Sequence, residues 1–300
     1  MKKLLVLILT LSICTTALAS CNQSNDMGDE EGIDNGTNAT QSIGSGEKQT
    51  DKATEKKTEK PAEKETEKPL VASKNLSLEP ISEGYYQLSG MGKCEDHNIV
   101  IPSEYKGGRV VQIRDKAFYN CFDLTGAVVP NSVTHIGEFA FSVSNLCTIT
   151  ISDSVQTIGK YAFSGCTRLE AITIPKDITV INDGTFCQCE LIEEVIIPEG
   201  VTRIGVEAFS ECISLKSIVI PENVVSIEDY AFYKCSALTS VILPRGLKTI
   251  GVSAFGRCKD LLVIEYQGTK AEWEAIEKHY DWDKESSISA VSCIDGVIAE

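Results

Sequence analysis

Twelve cysteines and three histidines are the side chains of this chain with the most chemistry to offer. A zinc site wants paired ligands such as Cys-x-x-Cys. The one close pair is Cys187-x-Cys189, and no histidine lies near it in sequence. His97, His135 and His279 are scattered along the chain, each in a different unit. There is no Gly-x-Ser-x-Gly elbow, no phosphate loop and no His-Glu-x-x-His. Asp281-Trp282-Asp283 offers two carboxylates, but it reads as the solvated end of a helix and not as a calcium ligand set. These residues predict a non-enzymatic protein with no catalytic residues, no metal and no cofactor.

The cysteines are instead periodic. Cys166, Cys189, Cys212, Cys235 and Cys258 step by 23, and Cys121 falls in the matching slot further upstream. In stacked coils about 4.8 Å apart, equivalent Cβ atoms would sit farther apart than the roughly 3.5–4.5 Å a disulfide prefers. The expectation is therefore a ladder of free thiols that fill a small buried slot as soft hydrophobes.

Other residue types share the period. Phe118, Phe141, Phe163, Phe186, Phe209, Phe232 and Phe255 are separated by 23, 22, 23, 23, 23 and 23 residues, and Pro175, Pro198, Pro221 and Pro244 by 23. In the unit Pro198–Ile220 the apolar positions are Val201, Ile204, Ala208, Phe209, Cys212, Leu215, Ile218 and Ile220. The last two alternate, as in a strand with one buried face. No single unit can bury these side chains alone, whereas stacked units make one continuous core.

The pattern Leu-x-x-Val-x-Ile-Pro-x-x-Val-x-x-Ile-Gly-x-x-Ala-Phe-x-x-Cys resembles the BspA-like, or treponemal-type, leucine-rich repeat. The match runs from about Ile101 to Tyr266. The resemblance implies an α/β leucine-rich-repeat solenoid, right-handed, curved and strand-rich, with repeats of about 23 residues. It also implies surface exposure and a part in adhesion or host-protein binding. Glu83 through Pro102 resembles the N-terminal cap of such arrays, and Gly268–Trp273 with Val291–Gly296 resembles the C-terminal cap. Thr269 and Glu272 form a capping-box pattern. Trp273, Ile276 and Tyr280, at i, i+3 and i+7, are expected to share the helix face that covers the last coil. Two irregularities are visible. Extra residues surround Tyr105-Lys106-Gly107-Gly108, and the second unit is one residue short, with Ser144 near the cysteine slot, Cys147 displaced and Ser152 at the proline slot.

Upstream of the array the composition changes twice. Lys2 and Lys3 precede the apolar run Leu4–Leu18, which is too short to span a bilayer and ends at small residues, as a secretion signal does. Leu18-Ala19-Ser20-Cys21 resembles the lipobox of bacterial lipoproteins, which implies that Cys21 is lipidated and anchors the protein in a membrane. Two acyl chains suffice for stable attachment. Asn22–Asn75 has almost no large apolar side chains and repeats Thr-Glu-Lys, so it predicts a disordered linker with an end-to-end distance of about 40 Å. The expected organisation is a signal peptide over 1–20, lipidated cysteine and linker over 21–75, an N-terminal cap over 76–100, the repeat array over 101–266 and a helix–strand cap over 267–300.

The formal net charge is -15, and from Leu76 onward there are 31 acidic and 18 basic side chains. Nucleic-acid binding needs clustered Lys and Arg and is not expected. In each strand the positions that alternate with the buried ones make two outer rows. One reads Val128, Thr150, Thr173, Ile196, Val219, Ile242, Glu265. The other reads Gly126, Thr148, Ala171, Glu194, Ser217, Ser240, Val263. Together they form a strip about 30 Å long. Its first six members, Val128 to Ile242, are the candidate ligand-binding residues. The expectation is a monomeric, extracytoplasmic lipoprotein on the cell surface that binds a protein or glycan ligand through this face. The competing reading is an envelope spacer without a specific external ligand.

Overall fold

The computed structural model describes residues 70–299. The expected signal peptide, Cys21 and the linker as far as Pro69 lie outside the described residues. From Leu70 onward the chain winds into a strand-rich solenoid of about 9 turns with repeats of about 23 residues. The α-helix of the described residues is the five-residue segment Lys270–Glu274 in the C-terminal cap.

Most coils contribute a front strand with the alternation of inward apolar residues, a two-residue back strand, and a turn segment that carries the phenylalanine. Front strands Asn98–Val100, Gly126–Val129 and Thr148–Ile151 form one parallel sheet. Ser217–Val219, Ser240–Leu243, Val263–Tyr266 and Ala290–Cys293 form another, closed by the antiparallel edge strand Gly296–Ala299. Between the two sheets only isolated bridges remain, Thr148 to Ala171 and Glu194 to Ser217. Back strands behave alike. One sheet ends at Thr157–Ile158 and the next begins at Val180–Ile181. Equivalent residues pair in register, as in Ile218 with Val241 and Ile204 with Ile227.

The turn segments make a third ladder. Phe118, Phe141, Phe163, Phe186, Phe209 and Phe232 each donate a backbone N–H to a carbonyl of the next coil, at 2.7–3.0 Å. Residues two before and two after each phenylalanine do the same, as Glu207 N to Asp229 O and Glu211 N to Tyr233 O show. Residues between them close turns within their own coil, as in Ala208 N to Gly205 O. This alternation needs left-handed backbone, and Phe139, Tyr161, Glu207 and Tyr230 take φ of 54° to 58° at the first of these positions. Such conformations cost non-glycine residues of order 1 kcal/mol each. The inter-coil hydrogen bonds hold them in place.

Inside, the phenylalanine rings stack with centroids 5.0–5.7 Å apart. The column ends on Trp282, which packs edge-on against Phe255 at 6.1 Å, and Trp282 in turn meets Trp273 at 5.8 Å. Burying each ring contributes about 1.5–3 kcal/mol.

Caps and irregularities fit the sequence except at one face. The capping box is formed, with Glu272 N donating to Thr269 Oγ1 and Thr269 N donating to Glu272. Trp273 and Ile276 are buried as expected, but Tyr280 is 89% exposed. The helix stops at Ala275 and the chain enters the strand Glu277–Lys278, so helical spacing no longer governs position 280. Trp282 covers the last coil instead. Asp281-Trp282-Asp283 is accordingly no helix end: Ser253 N donates to Asp281 O and Phe255 N to Trp282 O, which makes this segment the final rung of the turn ladder. The extra residues at Lys106-Gly107 form a two-residue hairpin turn between Glu104–Tyr105 and Gly108–Ile113, both central residues having positive φ. The short second unit does not break the array, because Thr148–Ile151 still pairs along its length with Gly126–Val129.

Candidate binding face

The front strands hold the candidate row by the period of two: Ile218 and Ile220 point inward, so Val219 points out. In-register pairing then aligns the row across coils, Val128 beside Thr150 and Val219 beside Ile242. Ile196 and Val219 are 57% and 56% exposed, Thr150 and Thr173 are exposed, and Val128 and Ile242 are half-buried. Thr173 and Ile196 lie where the front ladder thins to single bridges, yet their coils keep their place through the turn ladder and the ring stack.

The row is longer than the repeats alone suggested. Val100 pairs with Val128 at one end. At the other, Glu265 pairs with Ser292, and Ser292 with the exposed Val297. The distance from Pro102 to Pro130 already aligned Val100 with Val128. The hairpin that carries Val297 has no counterpart in the repeat and gave no such signal. Leu191, Ile213 and Leu262 add exposed apolar surface at the entry to the front strands.

Charge frames this face. Glu194, Glu199, Glu222 and Glu265 are exposed and their carboxylates make no hydrogen bond or ion pair among the described residues, whereas Lys176, Lys216 and Arg245 are held by Asp153, Glu193 and Glu272. Some carboxylates on the back and turn sides are tied down. Burial alone would push the Asp183 carboxyl up, but Lys160 and Arg203 outweigh it and hold it below the ordinary carboxylate value. Lys234 likewise lowers Glu211.

The thiol ladder is a feature of the interior. Cys166, Cys189, Cys212, Cys235 and Cys258 are free and buried. From Cys166 onward each sulfur donates to the carbonyl of the phenylalanine one coil earlier, at 3.1–3.3 Å. Desolvation pushes Cys166 up to about 11 and Cys258 up to about 12. Cys147, displaced from the ladder, is not among the free thiols. Cys187 is half-buried, and burial together with the nearby Glu207 and Glu211 raises it to about 11.

The three histidines are engaged separately. His97 Nδ1 lies 2.7 Å from Asp123 O, His135 Nδ1 lies 2.7 Å from Thr134 Oγ1, and His279 pairs with Asp281. Among the described residues no group of three or more His, Cys, Asp or Glu side chains is placed to hold a metal ion. A cleft of about 420 Å³ lies under the C-terminal helix, between Arg245, Lys248, Tyr266 and Glu272. No helix among the described residues is long and apolar enough to cross a membrane.

Coils that share one interior and align one exposed sheet face define a leucine-rich-repeat solenoid. The chain belongs to the BspA type leucine rich repeat family: residues 111–236 and 179–278 match that repeat region, in 6 copies. Among solved structures it is similar to a leucine-rich repeat protein from Bacteroides ovatus, 27% identical, with a TM-score of 0.52 over 75% of this chain and 71% of that one. A Leucine Rich Repeat protein of T. pallidum is 27% identical over 65% of this chain and 80% of its own, with a TM-score of 0.47. No curated protein matches. Proteins of this family are typically cell-surface or extracytoplasmic, and the fold is typically non-catalytic. The chain is thus a bacterial surface-type repeat protein, a class that suggests protein interaction.

Proposed function

We propose that this is a surface lipoprotein, anchored through a diacylglyceryl group on Cys21, that binds a protein or glycan partner through the row Val128, Thr150, Thr173, Ile196, Val219 and Ile242. One observation carries the reading. A line of β-branched side chains, exposed at Thr150, Thr173, Ile196 and Val219 and half-buried at its two ends, runs across an otherwise acidic exterior. Contiguous exposed apolar surface is a mark of interaction sites, and solenoids present extended surfaces of this kind. Strand preference alone also favours Val, Ile and Thr on pleated surfaces, so the test must separate binding from folding.

Changing Ile196, Val219 and Ile242 together to Glu places three charges on the strip without touching the core. Attachment of intact cells, or of the purified protein, to immobilised matrix proteins and glycans should be abolished while the thermal melt stays within a few degrees. Full retention of attachment would remove the reading. Cys21→Ala should move the protein from the membrane fraction to the medium, and protease treatment of intact cells should release the array. Protection from protease would place the array beneath the wall and favour the spacer.

A further inference from the structure

Resting on that reading of the sheet face, we infer that its partner is a basic polypeptide segment carrying apolar side chains. The centre of the strip is apolar, with Ile196 and Val219 more than half exposed. Its surroundings are anionic in a particular way. Glu194 stands where the front strands begin, Glu199 and Glu222 just beyond where they end, and Glu265 in the row itself, all unpaired among the described residues. Lys176 and Arg245, which share the row of Glu199 and Glu222, and Lys216, on the entry side, each have a carboxylate already. The face therefore presents carboxylates that lack cations around a patch that lacks a cover. A segment with Lys or Arg beside Leu, Ile or Val satisfies both demands at once.

Three other occupants fit less well. Pyranose rings are commonly held by stacking on aromatic faces, and neither outer row contains Phe, Tyr or Trp. A second copy would bring like charges together, which disfavours the pairing. The chain's own Thr-Glu-Lys linker, residues 22–75, carries 12 acidic against 8 basic side chains and almost no large apolar one, so it offers no net positive charge and nothing to lay on Ile196 and Val219.

The test uses the purified full chain and fluorescently labelled probes: a Leu-Lys peptide, a Ser-Lys peptide of equal charge, a Leu-Glu peptide, dextran and chitosan oligosaccharide. The Leu-Lys peptide should bind most tightly, and less tightly as salt rises. Ile196→Ser with Val219→Ser should weaken it about tenfold or more. Glu194→Gln, Glu222→Gln and Glu265→Gln together should do the same and flatten the salt dependence, while Glu138→Gln with Glu207→Gln on the turn side should change nothing. Equal binding of the Ser-Lys peptide, tighter binding of either polysaccharide, or equal weakening by the turn-side variant would each overturn the inference. If the Leu-Lys peptide fails to bind while the triple Glu variant still loses cell attachment, the partner class falls and the face stands. If the peptide binds but no face variant weakens it, both fall.

Discussion

At the scale of single residues, the cysteine three positions after each phenylalanine from Phe163 to Phe255 does two things. It fills a buried slot, and its S–H points back to the phenylalanine carbonyl of the coil before. Ser144 occupies the same slot and turns its hydroxyl to Phe141 O of its own coil, at 2.7 Å. A thiol kept neutral by burial has a pH signature. Its ordinary value is 9.0, and the folded values of Cys166 and Cys258 are about 11 and about 12. Above pH 9 the unfolded chain releases thiol protons that the folded one retains, so stability is complete below that pH and falls as pH rises toward the folded values. The loss is about 1.4 kcal/mol per ladder thiol for each pH unit. Urea midpoints measured from pH 7.5 to 10.5 should drop steeply, and less steeply for Cys212→Ala. A flat profile would contradict the burial of the ladder. The slot was legible in the 23-residue spacing. The donor role was not, because it depends on where the neighbouring coil aims a carbonyl.

Among the elements, the lapse in the back sheet has a local cause. At the position after the inward isoleucine, Gly137, Gly159, Gly205, Glu228 and Gly251 each donate a backbone N–H to the isoleucine carbonyl one coil earlier. Glycine also permits the close approach there, since a Cβ on Gly159 would lie 2.6 Å from Glu138 N. Glu228 shows that a side chain alone does not prevent pairing. Asn182 differs because its Nδ2 takes Ile158 O at 2.7 Å, so the side chain fills the place of the main chain. The strands Thr157–Ile158 and Val180–Ile181 then stay unpaired. Asn182→Gly should free that carbonyl for the backbone. Amide exchange at positions 181 and 182 should slow, and the melting temperature should rise. Unchanged exchange there would show that the lapse has another origin. The repeat pattern announced the strands, but a side chain standing in for a backbone donor follows no spacing rule. The end of the cap helix was hidden for a similar reason. The i, i+3, i+7 pattern continued to Tyr280, while the chain had already left the helix at Ala275.

For the whole molecule, periodicity made the architecture readable because each coil touches only its neighbours. Seven phenylalanines in phase leave little choice of interior, and the same phase set the outer row of the sheet. The acidic balance beyond Leu76 was readable too, but which carboxylates lack a cation depends on contacts between coils 23 residues apart, as with Lys216 and Glu193 or Lys234 and Glu211. Thus the face itself was legible and its polarity was not.

The thinning of both sheets around the coil Ala171–Cys187 matters once the array bears load. Traction applied between the two ends passes in series through every junction between coils. Most junctions share it over three sets of backbone bonds. At the junctions flanking this coil one set or another is missing, and the adjoining ring pair, Phe163 with Phe186, has the widest spacing among the stacked phenylalanines, 5.7 Å. These junctions should yield first, letting the chain lengthen in two stages while the Ser217–Ala299 portion of the strip stays intact. Optical-trap records of the protein held at its two termini should show an early partial rupture, and a single all-at-once event would rule that out.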